Sequence, residues 1–127
     1  MSNSLSAFAK WFGIETVSSS AGEARLRLIV QEHHLNRFGS AHGGVSMSLA
    51  DHCCGMLLTE IAGEDAFFAT TNLYGSYFKP ALLGELQCVA HLIRRSKTIA
   101  HIRADVLQAD ELIFQATGSF AIREKRQ

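Results

Sequence analysis

One helical segment near the middle of the chain limits the folds open to this sequence. Between Gly43 and Ile61, apolar side chains occur on nearly every side of a helical projection, and Asp51 and His52 interrupt them. Such a helix has no broad face suited to water, so the rest of the protein must cover it. Because these two residues interrupt the apolar segment, the segment is too short to span a membrane. We therefore predict a buried central helix in a soluble domain.

The rest of the chain supplies strands that can cover this helix. Residues 24–30 alternate apolar and basic side chains, so their apolar positions share one face of a strand. After the helix, the chain is strand-like to its end and is divided by short turn signals. We place the later strands at residues 67–78, 85–94, 98–108 and 111–122.

A short amphipathic helix precedes the strands. Apolar residues recur at helical spacing between residues 5 and 12, Asn3 or Ser4 can cap the start, and Gly13 can end the helix. One long buried helix and about five or six strands with short connections predict an α+β fold. In this fold an antiparallel sheet wraps around the central helix. We expect a single domain covering residues 1–127.

Charge and cysteine content disfavour several classes of function. Twelve basic residues balance twelve acidic ones, so no net field attracts nucleic acid or an anionic membrane. We see no secretory signal and expect a cytoplasmic protein.

Cys53 and Cys54 are neighbours and the cysteine count is odd, which favours reduced thiols. With His52 they point in different directions from a helix, so we predict no metal site. His33 and His34 are expected at the surface.

The residues best suited to chemistry lie at the start of the long helix and about two turns inside it. Gly43 and Gly44 leave backbone N–H groups unobstructed at a helix N-terminus, where the dipole adds positive charge and an oxyanion can be stabilised. Asp51 is an isolated carboxylate among apolar residues, where an ion is costly unless it has partners or a function. Each feature alone also fits a structural role. Together they favour thioester hydrolysis, because a thioester carbonyl needs chiefly an oxyanion donor and a carboxylate.

The spacing of these two groups predicts a shared site. Gly43 and Asp51 are eight residues apart, which is roughly 12 Å along a helix that rises about 1.5 Å per residue. One subunit therefore cannot easily bring both groups to the same carbonyl carbon. If both act in one site, the glycine end of one helix must meet Asp51 of a second subunit. The hypothesis requires a dimer with two composite sites.

At this point the sequence resembles a known family. Asn36, the run from His42 to Gly44, and Asp51, followed by residues 70–80, are similar to the hotdog-fold thioesterases of the phenylacetate-pathway and human thioesterase-superfamily type. The resemblance spans most of the chain, and the spacing from Asn to His-Gly-Gly to Asp is its most specific part. It implies a hotdog fold, a homodimer formed by joining two sheets or a tetramer of two such dimers, and acyl-coenzyme A as the substrate. No cofactor is expected beyond the coenzyme A of the substrate.

The same resemblance implies roles for individual residues. The Gly43 N–H would polarise the thioester carbonyl, and Asp51 of the facing subunit would attack it or activate water. Asn36 would orient the water or the acyl group, His42 would shape the loop, and Thr70 would place a hydroxyl near the acid. These roles are expectations from the family.

Further residues are candidates for substrate binding. Gly44 lies at the oxyanion end of the helix, and Tyr77 and Phe78 can border an acyl tunnel. Three basic residues at one hairpin tip can bind the coenzyme A phosphates through charge-assisted hydrogen bonds: Arg94, Arg95 and Lys97. Aryl, short-chain and medium-chain acyl groups all remain open, as does an acyl-carrier-protein substrate.

Two other functions are also compatible with the sequence. A non-catalytic acyl-binding module would not need Asp51, so replacing that residue by asparagine would leave its function intact. A hotdog dehydratase or hydratase would need a catalytic histidine paired with an acid in another arrangement. His52 is a poor candidate for it, because adjacent helical side chains diverge.

Overall fold

A computed structural model describes residues 5–20 and 22–123 of the chain. The strands form one antiparallel six-stranded sheet in the order β1-β2-β4-β5-β6-β3, so β1 and β3 are its edges. The α+β prediction and the strand number are therefore confirmed. The elements are α1 (Ala7–Phe12), β1 (Ile14–Ser20), β2 (Glu23–Val30), a 3₁₀ turn (Glu32–His34), α2 (Gly43–Ala62), β3 (Phe67–Tyr77), β4 (Gly84–Arg95), β5 (Ile99–Gln108) and β6 (Glu111–Arg123).

The long helix α2 packs against all six strands. One of its sides is buried on the sheet and carries the apolar residues that form the core with the inward positions of β2, β4, β5 and β6. The opposite side, which includes Asp51, Gly55 and Thr59, is only half-buried. The prediction that the rest of the protein covers this helix on all sides is therefore wrong, because the sheet covers only one side of it.

Most of the helix ends and turns that the sequence predicts are confirmed. The first helix ends at Gly13, which is left-handed with φ 96°. Its N-cap is Ser6, whose hydroxyl accepts a hydrogen bond from the Ala9 N–H at 3.1 Å; the predicted caps Asn3 and Ser4 lie outside the described residues. The β5–β6 hairpin turns at Ala109 and Asp110, both with positive φ (51° and 64°), as a two-residue type I′ connection requires.

The loop before α2 differs from its prediction at His34. This residue was expected at the surface, but it is buried, with 4% of its area exposed. Its Nδ1 accepts a hydrogen bond from the Gln31 N–H at 2.9 Å, so Nε2 carries the proton and donates to the Phe12 carbonyl at 2.8 Å. Both ring nitrogens are thus satisfied, which removes most of the cost of burying them. His34 fastens the loop to the end of α1.

The three cysteines, Cys53, Cys54 and Cys88, are all free and buried, as predicted. Among the residues that the structure describes, no helix is long and apolar enough to cross a membrane.

Candidate active site

The start of α2 leaves one backbone donor without a partner. His42 is the N-cap residue, and its Nδ1 accepts a hydrogen bond from the Gly44 N–H at 2.9 Å. Its own N–H donates to the His34 carbonyl, and its carbonyl accepts from the Val45 N–H, both at 2.8 Å. Within the described part of the chain, the Gly43 N–H makes no hydrogen bond. The helix therefore presents a free N–H at its positive end.

Tyr77 of β3 lies beside this donor. Its hydroxyl donates to the Gly43 carbonyl at 2.6 Å, and its ring packs on Phe114 with 4.6 Å between centroids. Burial of the hydroxyl raises the pKa of Tyr77, so the group remains a proton donor at neutral pH. The sequence predicts that Tyr77 borders an acyl tunnel; in the structure its hydroxyl contacts the first turn of α2.

Asn36 fastens the loop that leads to α2. Its Oδ1 accepts hydrogen bonds from the Phe38 N–H at 2.8 Å and the Ser40 N–H at 3.3 Å, while its Nδ2 donates to the Ser40 hydroxyl at 3.2 Å. The Asn36 side chain thus closes a turn, and Gly39 in that turn has φ 90°. One Nδ2 hydrogen remains for any contact with substrate or water.

Asp51 is paired with a hydroxyl, as the family resemblance implied. The Thr70 Oγ1 donates to the Asp51 Oδ1 at 2.7 Å. Thr70 lies beside a β-bulge in β3, whose register against β6 shifts between Thr70 and Asn72. The extra residue, Thr71, bonds the Ser119 carbonyl at 2.8 Å instead. Asp51 and Thr70 therefore meet across α2 and the edge strand.

A cavity of about 370 Å³ opens beside the carboxylate. It runs along the half-buried side of α2, where Asp51, His52, Gly55 and Glu60 line it. Asp51 and His52 are adjacent helical positions, and both line this cavity. Burial lowers the pKa of His52, and the nearby Asp51 charge opposes this only in part. The i, i+4 spacing from Asp51 to Gly55 is the sequence signal that could have located the cavity wall.

The remaining predicted binding residues lie away from this cavity. Arg95 donates to the Ile61 carbonyl at 3.0 Å and to the Ser96 carbonyl at 3.2 Å, so it caps the last turn of α2. Arg94, Lys97 and Phe78 are exposed and do not line the cavity.

Comparison with known proteins identifies the family. The model of the thioesterase superfamily matches residues 38–114, a segment that contains Gly43, Asp51 and Thr70. The chain belongs to the thioesterase superfamily. Human acyl-coenzyme A thioesterase 13 is 33% identical over 95 residues, which are 73% of this chain. The match covers 66% of the human protein's length.

Solved structures share the fold of this chain. A conserved protein of Pseudomonas aeruginosa is 31% identical, with a TM-score of 0.90 over 93% of this chain and 94% of that one. A mutant form of the phenylacetic acid degradation protein PaaI of Thermus thermophilus has a TM-score of 0.85 over 91% of this chain and 98% of that one. Its identity is 24%, so this likeness concerns the fold alone. The superfamily member described here has the predicted hotdog fold, with its long helix wrapped by the sheet.

Proposed function

We propose that this protein hydrolyses acyl-coenzyme A thioesters to the free acid and coenzyme A, in sites shared between two subunits. Membership of the thioesterase superfamily and the similarity to human acyl-coenzyme A thioesterase 13 support the reaction class. The observation that carries the proposal is the unpaired Gly43 N–H on the same helix as the Thr70-bound Asp51 carboxylate.

The proposed chemistry requires a second subunit. Gly43 and Asp51 both belong to α2, so they are separated by roughly 12 Å along the helix axis at about 1.5 Å per residue. A carbonyl group is far shorter than this distance. If two α2 helices run antiparallel beside each other, the Gly43 end of each approaches Asp51 of the other. The half-buried side of α2 that the sheet leaves open would face this partner.

The edge strand β3 offers a way to join the subunits. It pairs with β6 on one side only, so the backbone groups of its other side are available to a further strand. It also exposes large aromatic side chains, with Phe67 56% and Tyr74 75% exposed. Pairing of β3 with its copy would satisfy the edge and cover these side chains, giving a symmetric dimer.

The proposed chemistry assigns one task to each group. The thioester carbonyl oxygen accepts a hydrogen bond from the Gly43 N–H, which stabilises the negative charge that develops as the carbon is attacked. In one route Asp51 removes a proton from a water that attacks the carbon, and coenzyme A leaves as a thiolate while the free acid forms. In the other, Asp51 attacks the carbon itself and expels the coenzyme A thiolate, and water then hydrolyses the resulting mixed anhydride to release the acid and restore the carboxylate. The Thr70 hydroxyl holds Oδ1 and so fixes the orientation of the carboxylate. Asn36 and His42 hold the loop that presents Gly43.

Two basic side chains near one turn can bind the phosphates of coenzyme A. Arg94 and Lys97 are exposed cations near the β4–β5 turn, and a guanidinium or ammonium group can bind phosphate by charge-assisted hydrogen bonds. Arg95 is already engaged with the end of α2, so we assign phosphate binding first to its two neighbours.

Asp51→Asn tests this function. Wild type and variant are assayed for thiol release from a panel of aryl and aliphatic acyl-coenzyme A thioesters, with Asp65→Asn as a matched control because Asp65 is an exposed loop acid. We expect wild type and Asp65→Asn to hydrolyse at least one thioester and Asp51→Asn, still folded, to lose most of that rate. If the wild type binds these thioesters but hydrolyses none, the protein is an acyl-binding module and the proposal is wrong.

A further inference from the structure

The two peptide groups on either side of the Gly43 Cα have all but one of their polar groups in hydrogen bonds. The carbonyl of the first, which joins His42 to Gly43, accepts from the Val45 N–H at 2.8 Å. The N–H of the second, which belongs to Gly44, donates to the His42 Nδ1 at 2.9 Å. The carbonyl of this second peptide accepts from the Tyr77 hydroxyl at 2.6 Å. Within the described part of the chain, only the Gly43 N–H is left free.

Tyr77 supplies the one bond of this group that comes from the sheet, because the others join residues 42–45 to one another. It is the last residue of β3 and pairs with Phe114 of β6. Its ring also packs on the Phe114 ring, with 4.6 Å between centroids. The next residue, Phe78, donates its N–H to the Ile113 carbonyl at 2.8 Å. The Tyr77 hydroxyl is therefore held by the sheet and ties the start of α2 to it.

The glycine pair at the start of α2 makes such a tie useful. Glycine has the greatest backbone freedom of any residue, so Gly43 and Gly44 do little by themselves to hold the turn. Tyr77 lies where a Gly43 side chain would begin: a Cβ there would be 3.6 Å from its hydroxyl oxygen and 3.8 Å from its Cε2 and Cζ atoms. A hydrogen bond weakens steeply as its angle departs from linearity. An oxyanion donor on a glycine therefore depends on an outside group for its direction.

The same strand also orients the other functional group of α2. The Thr70 hydroxyl of β3 donates to the Asp51 Oδ1 at 2.7 Å, as the Tyr77 hydroxyl does to the Gly43 carbonyl. In the proposed dimer, each site combines Gly43 of one subunit with Asp51 of the other. The β3 strand of each subunit would then orient one half of each site.

We propose that Tyr77 is a positioning residue for the oxyanion donor: its hydroxyl holds the Gly43 carbonyl, so that the Gly43 N–H points at the thioester carbonyl oxygen. The proposal rests on the proposed thioesterase function. Tyr77 touches no reacting atom, so its effect passes through Gly43. Because the oxyanion forms only as the carbon is attacked, this effect belongs to the transition state more than to the bound substrate.

Tyr77→Phe tests the proposal, because it keeps the ring and removes the hydroxyl. Tyr74→Phe is the matched control, since Tyr74 lies on the same strand and is 75% exposed. Both are assayed for thiol release from the acyl-coenzyme A thioester that wild type hydrolyses best. We expect Tyr77→Phe to lower kcat about tenfold, which is less than the roughly 10²–10³-fold lost when an oxyanion donor is removed. Its KM should stay within about twofold of wild type, and Tyr74→Phe should match wild type in both constants.

A double-mutant cycle distinguishes positioning from a general structural role. Gly43→Pro removes the N–H at the first helical residue, a position where proline is favoured. Tyr77→Phe is then added to this variant. If Tyr77 acts through the Gly43 N–H, the second substitution should change kcat by less than about twofold, whereas independent effects would multiply.

Three results would overturn the role of Tyr77. Wild-type kcat in a folded Tyr77→Phe would do so whether or not the proline variant folds. A rise in KM alone would show that the hydroxyl binds substrate, and the same loss of kcat with and without the Gly43 N–H would show that Tyr77 serves only the fold. If wild type hydrolyses no thioester, the proposed function itself fails, and the role of Tyr77 fails with it.

Discussion

The hydrogen bond between Thr70 and Asp51 gives a quantitative prediction. Thr70→Val removes the hydroxyl that donates to the Asp51 Oδ1 at 2.7 Å and keeps the β-branched shape. Hydrogen bonds to charged groups contribute about 1.5–3 kcal/mol. Thr70 is exposed in the protomer, so water can partly replace its hydroxyl, and we use the lower end, about 1.5 kcal/mol. At about 1.4 kcal/mol per factor of ten, this corresponds to a loss of roughly tenfold in rate.

The loss should occur in kcat and kcat/KM alike, because the hydroxyl orients a group that acts in the transition state. Thr70→Ser keeps the donor and should retain most of the activity. Thr71→Val is the matched control, since its hydroxyl bonds the Ser119 carbonyl rather than the acid. Steady-state kinetics on the best thioester of the panel measure all three. Wild-type kcat in a folded Thr70→Val, or an equal loss in Thr71→Val, would refute the reasoning.

Three further predictions concern groups around the site. Tyr77→Phe removes a donor to the Gly43 carbonyl and should cost about 1 kcal/mol in urea unfolding; an unchanged free energy would contradict this. Because burial raises the pKa of Tyr77, wild-type stability should also fall as the pH rises above about 10, and less so in Tyr77→Phe. Burial lowers the pKa of His52, so the unfolding free energy should decrease as the pH falls below about 6.5. His52→Gln should weaken that dependence, and an identical pH profile would contradict the assignment. Burial raises the pKa of Cys54 and Cys88, so neither thiol should react with an aromatic disulfide reagent until the protein is unfolded by urea; fast reaction in the native state would show that the thiols are accessible.

The sequence was a good guide where the signal was local. The apolar run that begins at Gly43 predicts α2, and alternation with short turns predicts β4, β5 and β6. Gly13 also ends the first helix in the left-handed conformation that glycine tolerates. These features depend on periodicity and turn chemistry within a few residues, which a single sequence contains.

Features that depend on contacts between distant segments were harder to predict. Thr70 contacts Asp51 across two elements and lies beside a bulge in β3, and nothing local to Thr70 specifies either feature. His34 is polar and was expected at the surface, but the Phe12 carbonyl, distant in sequence, makes its burial favourable. The sequence did not predict the half-buried side of α2, because hydrophobicity alone does not show how many sides of a helix one sheet can cover. The family resemblance, rather than periodicity, suggested Asn36, His42 and Thr70.

The backbone at the start of α2 allows the Gly43 donor to be removed by mutation. Gly43 is the first helical residue, a position where proline is favoured. His42 has φ −55° and ψ 142°, a conformation that proline accepts in the preceding residue. A Cβ at Gly43 would lie 3.6 Å from the Tyr77 hydroxyl oxygen, an ordinary contact. Gly43→Pro should therefore fold, while Gly43→Ala keeps the N–H as a control.

Complementation between Gly43→Pro and Asp51→Asn tests the shared site most directly. Alone, Gly43→Pro should lose roughly 10²–10³-fold in kcat, as removal of an oxyanion donor does, and Asp51→Asn should also be nearly inactive. The two chains are co-expressed with different tags, and the mixed oligomer is purified and assayed for thiol release. We expect activity to return, because one site then combines the Gly43 N–H of one chain with Asp51 of the other. Mixed oligomers as inactive as either parent would contradict a site built from two subunits.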